Sequence, residues 1–494
     1  MPTGLKFQPV TEHTLNMQFN SLQFAIFLPI VFAMYWLLPH KYRWMFLLGA
    51  SYYFYMSWNV KYVFLILLTT GVTYLAALLI ESTESRNRRK VYLTLAAVIC
   101  FGVLVIFKYL NFLLKSVNDL TSLLAIPLHP VTMKLMLPVG ISFYTFQTIS
   151  YVLDVYYGKV KAERNFGIYA TFISFFPQLV AGPIERTDHL LPQIREEHTF
   201  SYEEGIDGLR IMLWGFFKKI LIADVAAAYV DQVYADVTGY QGFDLLVVIF
   251  LFTIQIYCDF SGYSDIAQGT AKLFGIQLMQ NFRSPYLSSS IQEFWRRWHI
   301  SLSQWFRDYV YIPLGGSRCS TLRKYRNVMI TFLLSGLWHG ADWSFVLWGG
   351  LHGLLQILEQ VFRRPIRALK AHRFGRVLST IAVFVFVSLL WVLFRAENLE
   401  QALYVIRHAL DGITQPALYL QTKLPLNRYR ILAIGSCILT CGAYDFVTRN
   451  RDGKVWFRTL PKAVRYLIGY VLITGLIVQI ILSTGETQFV YFQF

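Results

Sequence analysis

Apolar stretches recur along the whole chain and are separated by short polar or basic segments. A helix of about 20 residues crosses the roughly 30 Å hydrocarbon core of a bilayer, so this pattern predicts about 10 to 13 transmembrane or re-entrant helices. The clearest apolar stretches are 22–39, 44–60, 61–80, 91–114, 135–157, 166–182, 206–230, 243–258, 328–345, 345–362, 377–395, 430–447 and 465–483.

Some of these stretches contain helix-breaking residues. Pro177 and Pro183, and the glycines at 262, 269 and 275, predict broken or re-entrant helices. Irregular backbone at membrane depth must be enclosed by protein or line a cavity, because lipid offers no hydrogen bonds. The sequence therefore predicts an all-α polytopic membrane protein.

The first 16 residues are polar and lack the basic start, apolar core and small-residue cleavage site of a signal peptide. We expect residues 1–16 to form a disordered extension. No repeat or polar segment divides the remainder, so residues 17–494 are expected to form a single membrane domain.

Composition and charge agree with this interpretation. The chain is 55% hydrophobic and only 15% charged, whereas soluble domains carry roughly 25% charged residues. The net charge of +16 lies largely in short clusters between apolar stretches, at 86–90, 363–376 and 449–465. The positive-inside rule places such clusters in the cytoplasm. Nucleic-acid binding would instead require a polar, water-exposed basic surface.

Counting spans outward from these clusters places segments 115–134 and 397–429 outside, and the turn at 339–344 toward the outer face. His339 lies at this turn, and a histidine at membrane depth is a functional candidate because it is costly to bury there. Its imidazole could act as a general base, and Asp342 could orient a ring nitrogen. A histidine that only caps a helix end remains the alternative.

The segment 292–313, QEFWRRWHISLSQWFRDYVYIP, has the pattern of an amphipathic helix rather than a span. Its opposite faces suit the membrane interface or the rim of a cavity. His299 lies on the aromatic face, where we expect it to be neutral and hydrogen-bonded, in a packing or a functional role. The aromatic face comprises Trp295, Trp298, His299, Leu302, Trp305, Phe306 and Tyr309, and the polar face Glu293, Arg296, Arg297, Gln304 and Arg307.

Three further motifs contain polar groups of interest. Asp259 and Asp265 in YCDFSGYSD are expected to pair with Arg283, Arg296 or Arg297, because charges in apolar sequence need partners. The glycine-rich turn PLGGSR, with Arg318, could hold a phosphate or pantetheine-type donor, or could be an ordinary cytoplasmic loop. His352, among glycines, fits a helix-packing site.

Other kinds of active site find no support in the sequence. The five cysteines show no CxxC pair or zinc-ligand spacing, so we expect no metal and no disulfide framework. Serine-nucleophile, Walker, HExxH and dinucleotide motifs do not occur in the sequence. No bound cofactor is therefore expected.

Five segments together resemble the membrane-bound O-acyltransferase (MBOAT) family. They are LPVGISFYTFQTISYVLDVYYG, FFPQLVAGPIER, YCDFSGYSDIAQG, EFWRRWHISLSQWFRDYVYIPLGG and LWHGADWSFVLWGGLHG. The resemblance is greatest to the branch containing the membrane subunit of the bacterial alginate O-acetylation machinery. It implies a helical bundle around a tunnel, with His339 as the catalytic histidine and His299 as a second functional position. Leu351 stands before His352 where relatives often carry Trp, which weakens a role for His352.

The resemblance also implies a reaction. Such enzymes move an acyl group from a cytoplasmic thioester, such as acetyl-CoA, to an acceptor across the membrane. We therefore expect O-acetylation of an extracytoplasmic, alginate-like polysaccharide with His339 as general base. Substrate or donor binding is expected at Trp298, Trp338, Arg296, Arg318 and Asp342.

The expected location is the bacterial cytoplasmic (inner) membrane, crossed many times. The expected partners are the lipid bilayer, a secreted or periplasmic SGNH-type acetyltransferase and the polysaccharide acceptor, and no nucleic acid. Two other functions remain open at this point. One is D-alanyl transfer to teichoic acid, and the other is transport of a polymer or small molecule.

Overall fold

A computed structural model describes residues 17–124, 133, 135–425, 427–451 and 453–482. The extension predicted for residues 1–16 lies outside the described residues. Within the described ranges the chain forms helices and no β-strand. The α-helices are α1 Leu22–Leu37, α2 His40–Met56, α3 Val63–Ser82, α4 Arg86–Leu104, α5 Leu110–Leu123, α6 Ile141–Tyr156, α7 Phe166–Ser174, α8 Thr187–Arg195, α9 Tyr202–Phe216, α10 Asp224–Ala235, α11 Phe243–Leu273, α12 Ile291–Arg297, α13 Ile300–Phe306, α14 Thr321–His339, α15 Trp343–Val361, α16 Arg363–Ala371, α17 Arg373–Arg395, α18 Leu399–His408, α19 Pro416–Tyr419, α20 Arg428–Thr448, α21 Gly453–Thr459 and α22 Lys462–Leu482.

Three π-helical turns interrupt this pattern in the part of the chain that the structure describes. The first, Val105–Tyr109, joins α4 to α5, and the second, Phe217–Ala223, joins α9 to α10. The third, Arg307–Tyr311, follows α13. Such turns are rare and are often found at functional sites.

Six helical segments in the described part of the chain are long and apolar enough to cross a bilayer, and α15 with α16 would add a seventh if that pair, bent by 76°, is one span. The predicted range of 10 to 13 counted spans and re-entrant elements together. Several of the predicted stretches form shorter helices, such as α1, or helices enclosed by protein, such as α6. The six segments are Val60–Ser82, Arg86–Leu123, Phe243–Leu273, Arg373–Arg395, Arg428–Thr448 and Lys462–Leu482. The fold is the predicted all-α polytopic membrane bundle.

Helix α11 runs unbroken for 31 residues, so the breaks predicted at Gly262 and Gly269 are wrong. These glycines instead let α11 lie backbone to backbone against α9. A Cβ on Gly215 would come within 2.7 Å of the Gly262 carbonyl oxygen, and one on Gly208 within 2.8 Å of the Gly269 carbonyl oxygen. Small residues permit such close helix contacts in membranes. Only Gly275, with φ +81°, follows the end of the helix as predicted.

The buried aspartates of α11 pair with lysines, so the predicted pairing with Arg283, Arg296 or Arg297 is wrong. Lys218 Nζ lies 2.5 Å from Asp265 Oδ2, and Lys219 Nζ lies 2.7 Å from Asp259 Oδ1. Both lysines belong to the π turn after α9, which packs against α11. That packing brings together residues about 40 positions apart, which local sequence does not show.

Between α7 and α8 the chain loses helical structure but stays buried, as Pro177 and Pro183 predict. Side chains from other elements satisfy its backbone. Ser51 Oγ accepts from the Phe176 amide at 3.1 Å, and Ser301 Oγ accepts from the Ile184 amide at 3.0 Å. This enclosed irregular segment borders the cavity described below.

Candidate active site

His339 is the last residue of α14, in a hairpin formed with α15. The two helices touch at Gly336 and Gly349, since a Cβ on Gly349 would lie 3.0 Å from the Gly336 Cα. Asp342 begins α15 by accepting a hydrogen bond from the Ser344 amide at 2.8 Å. The carboxylate predicted to orient the imidazole thus serves as the N-cap that fixes the start of the next helix.

The His339 side chain is enclosed by aromatic rings and only 4% of the residue is exposed. Its ring centroid lies 4.9 Å from that of Trp338, 5.1 Å from Trp348 and 5.3 Å from Phe394. Apolar walls exclude water and strengthen electrostatic interactions inside the site. This environment favours an imidazole that exchanges a proton with a bound group rather than with solvent.

His299 lies where the predicted continuous amphipathic helix breaks, so the prediction of one helix is wrong. Helix α12 ends at Arg297, and α13 begins at Ile300. His299 between them has φ +43°, a left-handed conformation that non-glycine residues rarely adopt. A neighbouring loop fixes the break, because the amide of Ile300 donates to the Asn281 carbonyl at 2.9 Å.

The two faces predicted for this segment are nevertheless observed. The residues of the aromatic face are buried, except that Tyr309 is half-buried. On the polar face, Arg296 and Arg307 are exposed. The break turns His299 toward the α14–α15 hairpin, and its ring centroid lies 6.3 Å from that of His339. Two imidazoles from distant parts of the sequence therefore meet at one place. Backbone strain of this kind clusters at functional sites.

A small cavity of about 70 Å³ opens beside His339. Its walls come from the π turn after α4, the start of α6, the irregular segment after α7, the end of α14, and α17. Residues that line it include Lys108, Gly140, Ser142, Val180, Trp338 and Phe394. The cavity thus combines a buried imidazole, an ammonium group and a hydroxyl with apolar walls, which suits acid–base chemistry on a small group.

Sequence reasoning missed Lys108. Its ammonium Nζ donates to the carbonyl oxygens of Trp338 at 2.7 Å and His339 at 3.0 Å. The signal was present, because Lys108 is a single cation inside the apolar stretch 91–114. An ionisable residue inside a membrane segment is a functional candidate by default.

The other predicted site residues divide into two groups. Trp338 packs beside His339, and Trp298 precedes His299 and packs 4.9 Å from Trp391. Arg296 and Arg318 are exposed and do not line the cavity. Arg318 lies just before the start of α14, and His339 lies at the other end of this 19-residue helix, about 28 Å away at 1.5 Å per residue.

His352 has a packing environment. Its Nδ1 lies 3.3 Å from the indole Nε1 of Trp295, which donates to it, and its ring lies 4.8 Å from that of Trp348. Gly353 nearby allows α15 to approach α14 closely. Trp348 thus stands between His352 and His339, in contact with both rings.

Comparison with known proteins shows which family the chain resembles. The sequence profile of the MBOAT, membrane-bound O-acyltransferase family matches residues 164–396, a range that contains both His299 and His339. The probable alginate O-acetylase AlgI of Azotobacter vinelandii is 42% identical over 78% of this chain and 76% of its own length. The peptidoglycan O-acetyltransferase of Helicobacter pylori is 33% identical over 96% and 97%.

A teichoic acid D-alanyltransferase of Bacillus subtilis is more distant, at 28% identity over 52% of this chain and 68% of its own length. The matches to the two acetyl-transferring relatives are both higher in identity and longer. The chain therefore belongs to the membrane-bound O-acyltransferase family, as a multi-pass membrane O-acyltransferase.

Proposed function

We propose that this enzyme moves an acetyl group from a cytoplasmic thioester across the membrane for the O-acetylation of an extracytoplasmic, alginate-like polysaccharide. The observation that carries the proposal is the meeting of two buried imidazoles, His339 and His299, with 6.3 Å between ring centroids. The acetyl-transferring relatives and the small cavity support a short acyl group over a longer one.

In this reaction His339 acts as the general base. Its imidazole takes the proton from an acceptor hydroxyl, whose oxygen attacks the thioester carbonyl carbon. The tetrahedral intermediate then expels the thiolate, which takes up the proton. A positioned base contributes roughly 10²- to 10⁴-fold to such a transfer. His299 and Trp338 position the reacting groups beside it.

The donor enters from the side of the basic loops. We assign the exposed guanidinium groups of Arg296 and Arg318 to the anionic part of a thioester such as acetyl-CoA, since Arg pairs well with phosphate. Trp298, buried next to His299 and packed against Trp391, is assigned to positioning the acyl group of the donor. Asp342 holds the start of the helix that follows His339. No bound cofactor is needed, because the thioester is already activated.

The proposed setting is the bacterial cytoplasmic membrane, with residues 17–494 acting as one membrane domain. The polysaccharide is the final acceptor. A periplasmic SGNH-type acetyltransferase is the proposed partner that receives the acetyl group and modifies the polymer hydroxyls.

The identity of the transferred group tests the proposal. Cells that produce the chain should carry alkali-labile acetate esters on their extracytoplasmic polysaccharide, quantified by mass spectrometry after mild base. Deletion should remove those esters, and the wild-type chain should restore them. Release of D-alanine instead of acetate would assign the chain to the other reaction, and esters unchanged by deletion would contradict both.

A further inference from the structure

The C-terminal end of α14 is held by side chains from a different span. Tyr109 Oη donates to the Leu337 carbonyl oxygen at 2.8 Å, and Lys108 Nζ donates to the carbonyl oxygens of Trp338 and His339 at 2.7 and 3.0 Å. Three consecutive carbonyl groups of one helix end are therefore occupied by two consecutive residues of another helix.

These carbonyl groups need partners from outside the helix. The last four carbonyl groups of an α-helix have no intrahelical donor, and together they carry a partial negative charge. A positively polarised hydrogen-bond donor at that end is favourable. Lys108 Nζ supplies hydrogen-bond donors to two of these carbonyl groups.

Lys108 and Tyr109, the two hydrogen-bond donors, belong to the π turn Val105–Tyr109. This turn interrupts the long span from Arg86 to Leu123. Lys108 faces the same cavity as His339, and its ammonium also lies 3.4 Å from Ser142 Oγ. The π turn thus departs from regular α-helical geometry where this span meets the helix that ends in His339.

We propose that Lys108 and Tyr109 are positioning residues that cap α14 and thereby hold the His339 imidazole in its productive orientation. The inference rests on the proposed function, in which His339 is the base. A residue at a helix end would otherwise fray, and a shift of about 1 Å at a reacting group can lower a rate about 10²-fold. Lys108 and Tyr109 act through His339, and neither needs to touch the substrate.

The test uses the full-length chain in producing cells fed with labelled acetate, and measures acetate ester formed per molecule of membrane-inserted chain. Lys108→Met keeps the length of the side chain and removes its charge and donors. We expect a 10- to 100-fold slower rate. Lys115→Met, on the same span but exposed, is the matched control and should stay within twofold of wild type.

Two further variants separate positioning from a merely structural role. Lys108→Arg keeps the cation and its donors and should recover at least a third of the wild-type rate, whereas Tyr109→Phe removes one donor and should lose about three- to tenfold. A rate of ester formation in Lys108→Met within twofold of wild type would overturn the proposal. So would a loss that parallels a fall in melting temperature and that Lys108→Arg does not repair.

Comparing His339→Ala with Lys108→Met separates a failure of the positioning role from a failure of the proposed function. If His339→Ala abolishes ester formation while Lys108→Met does not, only the positioning role fails. If His339→Ala retains ester formation, the role of His339 itself fails, whatever the Lys108 variants do.

Discussion

At the scale of single residues, the site depends on groups that are costly to hold where they are. His299 has a left-handed backbone, and His339 is buried among aromatic rings. Surrounding residues stabilise these conformations. For example, the Asn281 carbonyl accepts a hydrogen bond from the amide of the residue after His299. Backbone strain of this kind clusters at functional sites, which supports the role proposed for His299.

Two substitutions of His299 separate the effect of its strained backbone on stability from the effect of its imidazole on activity. Left-handed geometry costs a residue with a Cβ about 1 kcal/mol relative to glycine. His299→Gly should therefore melt at a higher temperature than His299→Ala in purified, detergent-solubilised protein. Both variants should lose ester formation, because both lack the imidazole. A lower melting temperature for the glycine variant would show that the left-handed backbone is not strained.

At this scale the sequence indicated the two histidines as candidates but did not show what holds them. His339 and His299 are candidates because an ionisable group in apolar sequence is costly, and their catalytic roles stay predictions. The hydrogen bonds from Lys108 to the end of α14 could not be predicted, because Lys108 and His339 are 231 positions apart in the sequence. Only the packing of two spans brings them together.

At the scale of elements, close backbone contact joins two pairs of helices, and one of these pairs carries His339. Glycines at facing positions bring α9 against α11 and α14 against α15. Because van der Waals packing replaces the hydrophobic effect between helices in lipid, such contacts contribute directly to stability.

A glycine pair tests this packing. Gly215→Ala would place a Cβ against the Gly262 carbonyl and the Ile266 side chain, so we expect a loss of about 1–3 kcal/mol from overpacking. Gly102→Ala is the matched control, because no atom lies within 4 Å of its added Cβ. Thermal unfolding followed by tryptophan fluorescence should show a lower midpoint only for Gly215→Ala. Equal midpoints would contradict close packing of α9 on α11.

Element boundaries were predicted less well than element types. The break at His299 was missed because the aromatic periodicity continues across it, so the two faces of the segment were right while its continuity was wrong. Gly262 was misread for a related reason. A glycine inside an apolar stretch can mark either a break or a close contact, and only the neighbouring helix distinguishes the two.

At the scale of the whole molecule, α14 links two chemically different ends. Basic residues stand at its start, and His339 stands at its finish, beside the cavity. The basic segments are also held to the bundle by polar interactions. Arg89 donates a hydrogen bond to the Tyr156 carbonyl, and Arg449 forms an ion pair with Glu293. The fold class and family could be predicted from the sequence because apolar periodicity and five ordered motifs extend along most of the chain.

The role proposed for His339, the base for acyl transfer, is tested by comparing two buried histidines of the same hairpin. Ester formation on the extracytoplasmic polysaccharide is measured for His339→Ala and His352→Ala at equal amounts of membrane-inserted chain. Loss of a general base should slow His339→Ala by about 10²- to 10⁴-fold, while His352→Ala, which alters packing, should stay within about tenfold of wild type. A rate of ester formation above a tenth of wild type in His339→Ala would show that His339 is not the base.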